Sequence, residues 1–157
     1  MNIHKNSNLI KCITMWFATL FGIGYIPFCP GTTACIAALF IFIFIRSMFW
    51  FSIISLVSVV LAFLSCGKAE DIIGKKDAKQ IVIDDFGGML ITYSFVPYDI
   101  RFVVVGFFLF RMFDMLKIPP ADRVEKYKGS LGIVGDDMVA GIYANFLLQG
   151  ARLLLHL

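Results

Sequence analysis

The sequence predicts an all-α integral membrane helical bundle, and three observations predict it. Of 157 residues, 59% are hydrophobic and only 16% are charged, against roughly 45–50% and about 25% in an ordinary soluble domain. Mean hydropathy is +0.85. Charge is missing from whole stretches, since residues 12–45 and 47–67 contain no Lys, Arg, Asp or Glu. A soluble domain of this length has too little interior to hide so much apolar surface. The 17 Phe and the long Ile/Leu/Val runs oppose disorder. One membrane-embedded domain over residues 1–157 is expected, because no linker or repeat divides the chain.

Each element follows from its apolar length. A bilayer-spanning helix needs about 20 mainly apolar residues. Thr32–Ile45, Ser47–Gly67, Ile81–Val96 and Ile100–Leu116 meet or approach that length, and Ile133–Leu157 exceeds it. The expectation is about four transmembrane helices. The first apolar stretch, Cys12–Ile26, runs into Pro27-Phe28-Cys29-Pro30-Gly31, a sequence that breaks a helix. Lys5 and Lys11 ahead of it resemble the start of a signal peptide, but no small-x-small cleavage site follows, so the segment is expected to remain.

How that first segment sits decides the topology. If it spans from a cytoplasmic N-terminus, the lysine-rich loops 68–80 and 117–132 both face outward, against the positive-inside rule. If it is an N-terminal interfacial or re-entrant helix, ten positive residues (Lys5, Lys11, Lys68, Lys75, Lys76, Lys79, Lys117, Arg123, Lys126, Lys128) lie inside. Three (Arg46, Arg101, Arg152) then lie outside, and Arg111 stays within a helix. Five spans with the N-terminus outside divide the charges eight to five. The interfacial arrangement is preferred.

Other classes are poorly served. The net charge of +3 is spread too thinly for a phosphate-binding face, so nucleic acid is not an expected partner. Cys12, Cys29, Cys35 and Cys66 form no CxxC pair and are expected to be small buried hydrophobes. His4 and His156 lie near the termini, leaving no base for a Ser-His or Cys-His mechanism. Gly22-Ile23-Gly24 follows no strand and is not a dinucleotide fingerprint.

The informative residues are the charges within or beside the apolar segments, which are costly there and usually functional. Asp84 and Asp85 open the third stretch, Arg111, Asp114 and Lys117 close the fourth, and Asp136 and Asp137 open the last. In the preferred topology all three helix ends reach the cytoplasmic surface. Adjacent carboxylates from separate helices can hold Mg²⁺, which prefers oxygen ligands. A guanidinium and an ammonium beside them can clamp a phosphate. Metal, clamp and activated water are the minimum for phosphoryl-ester hydrolysis. Small residues follow the acids at helical spacing, Gly88 after Asp84, Ala140 after Asp136 and Gly141 after Asp137, leaving room for close helix packing. The competing account, charges that merely complement helix dipoles, serves one pair well but not three groups together. Glu70, Asp71, Glu125 and Lys126 are expected to be solvated loop charges.

These segments carry a family resemblance. Ile81-Val82-Ile83-Asp84-Asp85-Phe86-Gly87-Gly88, Phe110-Arg111-Met112-Phe113-Asp114-Met115-Leu116-Lys117 and Lys128-Gly129-Ser130-Leu131-Gly132-Ile133-Val134-Gly135-Asp136-Asp137-Met138-Val139-Ala140-Gly141 resemble the phosphatidylglycerophosphatase A family. So do Gly22-x-Gly24-x-x-Pro27-x-x-Pro30-Gly31-Thr32 and Lys76-Asp77. The resemblance implies a Mg²⁺-dependent lipid phosphatase of the bacterial inner (cytoplasmic) membrane, multi-pass, with its site facing the cytoplasm. Its substrate would be phosphatidylglycerophosphate, converted to phosphatidylglycerol and inorganic phosphate in the last step of phosphatidylglycerol synthesis. Carried over, Asp84, Asp114, Arg111 and Asp137 are catalytic. Arg111, Lys117 and Lys76 bind phosphate, and Asp77, Asp84, Asp85, Asp136 and Asp137 are metal ligands. The chain departs from the pattern at Asp85, where the family has Glu, at Ile118 after Lys117, where it has Pro, and at Ala34-Cys35, where it has Gly-Ser. The alternative from another class is a small ion- or proton-coupled transporter. That reading expects acids near the bilayer midplane and often a repeated topology.

Overall fold

The computed structural model describes residues 2–75 and 78–154, with side chains from Asn8 onward. Among the described residues there are seven α-helices, one short 3₁₀ turn at Ile23–Tyr25, and no strand. The all-helical expectation holds.

Helix α1 (Asn2–Ala18) stops well before Pro27, where the sequence predicts the break. The Thr19 hydroxyl donates to the Met15 carbonyl at 2.8 Å and accepts from the Gly22 N–H at 3.2 Å. Leu20, Phe21 and Gly22 then take φ of 48°, 56° and 96°. Such a left-handed run, backed by side-chain hydrogen bonds to the backbone, ends a helix without proline. The freed Ala18 carbonyl accepts from the Val82 N–H at 3.0 Å and ties this end to the segment before α4.

Helix α2 (Pro30–Phe44) begins on proline, whose fixed φ suits the first helical position. Helix α3 (Met48–Ile73) takes up the charge-free run and continues through Lys68, Glu70 and Asp71, 26 residues in all and about 39 Å by helical rise, so Glu70 and Asp71 lie on a helix and not in the loop expected for them. The helix closes at Gly74, whose φ of 72° lets its N–H reach the Glu70 carbonyl. Helix α4 (Ile83–Tyr93) comes next, then α5 (Ile100–Leu116), the single turn α6 (Ala121–Val124) and α7 (Ser130–Leu154).

Two helices, α3 and α7, are long and apolar enough to cross a membrane. Helix α2 has 15 residues and α5 has 17. Helix α4 differs most from expectation. Instead of one continuous span over Ile81–Val96 it has 11 residues, about 16 Å. The chain turns at Ser94 and at Phe95, which has φ 62°. The carbonyls released there are taken by α7. Asn145 Nδ2 donates to Thr92 O at 3.0 Å and to Ser94 O at 2.7 Å, and Gln149 Nε2 donates to Phe95 O at 3.0 Å. Amide side chains on one apolar helix thus satisfy the open end of another.

Helix α4 is the central element, packed against α2, α3, α5 and α7. Its contact with α7 is backbone on backbone. A Cβ on Gly141 would collide with the Gly88 carbonyl, and a Cβ on Gly88 would lie 2.7 Å from the Asp137 carbonyl. The small residues after the acids do what their spacing predicts. The rest of the core is aromatic and aliphatic. Phe42 stacks on Tyr93 at 4.4 Å between ring centres, and the Tyr93 hydroxyl donates to the Val103 carbonyl at 2.6 Å.

The outside is apolar as well. Phe44 is 78% exposed, Phe108 66% and Phe146 78%, a surface too greasy for water alone. Cys35 and Cys66 are buried as expected, whereas Cys12 and Cys29 are exposed.

Candidate active site

Five helix ends meet at one end of the bundle. The starts of α2, α4 and α7 and the ends of α3 and α5 line a single cavity of about 760 Å³, contributing Gly31, Asp84, Asp137, Glu70 and Asp114 among others. The expected convergence of three distant segments therefore occurs, with two further helix ends added.

Within the cavity the acids sort into two groups. Asp84, Asp85 and Asp137 bring one carboxylate oxygen each to within 4.8 Å of one another. Asp84 and Asp137 are buried, and Asp84 Oδ1 accepts the Asp85 N–H at 3.0 Å. Beside them Arg111 Nη1 donates to Asp85 Oδ1 at 2.7 Å and to Asp114 Oδ2 at 2.8 Å. One guanidinium is thus shared between α4 and its own helix. The second group centres on Lys117, which sits just past the end of α5 with φ 46°. Lys117 Nζ donates to Glu125 Oε1 at 2.7 Å and to Asp136 Oδ2 at 3.1 Å. Burial works against the charged Lys117 ammonium, but its bonds to Glu125 and Asp136 outweigh that, and its pKa lies above the ordinary lysine value. The second oxygen of Asp136, Oδ1, is buried without a hydrogen-bond partner.

Every residue named from the sequence for this site lines the cavity, except Lys76 and Asp77, which lie outside the described residues. Asp136 stands apart from the close carboxylate trio and faces Lys117. Four contributors escaped sequence reasoning. Glu70, expected to be a solvated loop charge, lies on α3 and lines the cavity. Glu125, expected to be solvated, is an ion-pair partner of Lys117. Cys35, read as a small hydrophobe, places its Sγ 3.9 Å from Arg111 Nη1 and 3.9 Å from the Asp85 carbonyl. Gly31 lies so close to the Asp85 carboxylate that a Cβ there would collide with it. Only Gly31 carried a signal, because it falls within the Pro-Gly-Thr motif.

The trio fits a hard divalent cation. Its donors are all carboxylate oxygens and come from two helices, and the unpartnered Asp136 Oδ1 lines the same cavity. No thiolate or imidazole joins the close group among the described residues, so the donor set favours Mg²⁺ or Mn²⁺ over zinc.

Comparisons with known proteins identify relatives of this chain. Residues 16–152 match the phosphatidylglycerophosphatase A family. The phosphatidylglycerophosphatase A of Escherichia coli is 32% identical over 92% of this chain and 89% of its own length. That of Haemophilus influenzae is 34% identical over 89% and 88%. A Bacteroides thetaiotaomicron protein provisionally named phosphatidylinositol-3-phosphatase is 32% identical over 85% of this chain and 90% of its own. No solved structure matches.

Proposed function

This chain belongs to the phosphatidylglycerophosphatase A family, and on that footing we propose that it hydrolyses phosphatidylglycerophosphate to phosphatidylglycerol and inorganic phosphate in a Mg²⁺-dependent reaction, the last step of phosphatidylglycerol synthesis. That it is a phosphatase of lipid substrates follows from the family. The observation that carries the finer reading is the carboxylate trio beside Arg111 at one end of an apolar-surfaced bundle. The transporter alternative has no support, since the acids collect at helix ends and the relatives are named as phosphatases.

Asp84, Asp85 and Asp137 are the residues that would hold Mg²⁺, which when bound neutralises phosphate charge and makes a water more acidic. The chain's own groups do the rest. Arg111 has a planar fork suited to two phosphate oxygens, and Asp114 orients it from one turn away. Lys117, held by Glu125 and Asp136, presents a second positive charge to the same cavity. Together they stabilise charge growing on the phosphoryl oxygens.

We place the protein in the bacterial inner membrane with α2, α3, α5 and α7 crossing, α4 and residues 94–99 together returning the chain to the outer side between α3 and α5, α1 in the interface and the cavity facing the cytoplasm. Lys68, Lys75 and Lys79 in the 68–80 segment and Lys117, Arg123, Lys126 and Lys128 in 117–128 support that orientation. Exposed Leu9, Ile10, Ile13 and Trp16 suit α1 to the interface. Helix α4 is then an interior helix, whose non-helical exit is tolerated at membrane depth because protein side chains satisfy it.

The test is phosphate release by the purified protein from phosphatidylglycerophosphate in micelles, with Mg²⁺ and with excess EDTA. Release with Mg²⁺ and none with EDTA is expected, and full turnover in EDTA would overturn the metal reading.

A further inference from the structure

A second cavity of about 640 Å³ lies between the end of α3 and the start of α7. It adjoins the first, because Glu70 and Gly129 line both. Its walls are fixed to each other where the Gly67 N–H donates to the Ser130 hydroxyl at 2.9 Å. The wall changes character along α3. Phe63 and Leu64 are apolar, Leu64 being 60% exposed, and Lys68 follows one turn after Leu64 on the same face. Lys68 is also the first charge after the charge-free stretch 47–67, which sets it at the level where lysine stems leave hydrocarbon for headgroups. Lys128 faces it from the segment before α7. Two carboxylates, Glu70 and Asp71, complete the charged lining.

The proposed substrate has matching parts. It carries a phosphomonoester at one end of a glycerol, a phosphodiester at the other, a free hydroxyl between them, and acyl chains beyond the diester. We infer that the second cavity binds the phosphodiester of the lipid through Lys68 and Lys128 while the monoester occupies the Asp84–Asp85–Asp137 cavity. Glu70, at the junction, is the acceptor for the intervening hydroxyl, and Phe63 and Leu64 lead the acyl chains to the bilayer. Lys68 and Lys128 are in this reading determinants of substrate specificity, remote from the reacting phosphorus. The inference rests on the proposed function.

The experiment uses the full chain in neutral-detergent micelles, with Lys68→Ala, Lys128→Ala and the double variant, and Lys126→Ala as a charge-matched control outside both cavities. KM and kcat for phosphatidylglycerophosphate are measured, together with inhibition by phosphatidylglycerol, which keeps the diester and lacks the monoester. Each single variant is expected to raise KM about fivefold, and the double about 25-fold if the two act independently. The kcat should stay near wild type, and the inhibition constant of phosphatidylglycerol should rise in parallel. Lys126→Ala should change neither by more than about twofold. Unaltered KM and inhibition in the lysine variants overturn the inference, as does an equal rise in Lys126→Ala or a wild-type protein that phosphatidylglycerol does not inhibit. A wild-type protein that releases no phosphate from the lipid removes the underlying reading and this inference with it.

Discussion

Asp136 and Asp137 are neighbours on one helix, yet they belong to different halves of the cavity. Asp137 joins Asp84 and Asp85, and of the four carboxylates gathered there with Asp114 only Asp85 and Asp114 bond the guanidinium of Arg111. Asp136 faces the other way, where one ammonium answers two carboxylates. A step of one residue turns a helix by about 100°, and on α7 that turn carries Asp136 away from the trio, whereas Asp84 and Asp85 in the first turn of α4 converge despite it. The first half carries excess negative charge at short range and calls for a cation. The second half is nearly balanced internally and holds a lysine steady for an anion.

Substitutions that strike one half and spare the other test this division. Asp137→Asn should have the largest effect, lowering kcat about 10³-fold or more and weakening Mn²⁺ binding measured by calorimetry. Asp136→Asn should leave Mn²⁺ binding close to wild type, and equal loss of binding in both variants would erase the distinction. Arg111→Lys keeps the charge and loses the planar fork, so phosphate release should slow by about 10²–10³ with KM little changed. A fully active, well-folded Arg111→Lys would remove Arg111 from the catalytic set. Gly141→Ala inserts a methyl group against the Gly88 carbonyl. It should destabilise the fold by about 1–3 kcal/mol, seen as a lower thermal midpoint, and weaken Mn²⁺ binding by parting α4 from α7. The smallest effect is expected of Glu125→Gln, whose partly exposed pair with Lys117 is worth roughly 0.2–1 kcal/mol. That corresponds to a rise in KM of no more than about fivefold, with metal binding untouched.

Much of this was legible beforehand. Length and hydropathy marked α3 and α7, and the acids and their trailing glycines marked the ends that converge. The true extent of α4 was not legible, because Ile81–Val96 reads as one apolar run. What ends the helix is a pair of amides, Asn145 and Gln149, some 50 residues further along. Nor could the sequence separate Asp136 from Asp137. Spacing tells which residues share a helix face, but the rotation of α7 is set by the contact of Gly141 with Gly88, which only the assembled bundle reveals. Glu125 was missed for a similar reason. It lies in a loop, and its partner Lys117 is reached through the turn of α6 rather than along a helix.

The shortness of α4 has a consequence for how the enzyme meets different membranes. A helix that crosses a bilayer feels hydrophobic mismatch and answers it by tilting or by deforming the lipid. Helix α4 is clamped to α7 at the Gly88–Gly141 crossing and again where Asn145 holds the Thr92 and Ser94 carbonyls. It is carried inside the bundle with no free end for the lipid to pull on. In the proposed membrane placement, thickness changes act on α3 and on α7 as a whole, while the spacing of Asp84 and Asp85 from Asp137 travels with the clamp. Turnover at saturating substrate should therefore hold nearly constant across bilayers of short and long acyl chains, even where the tilt of the outer helices does not.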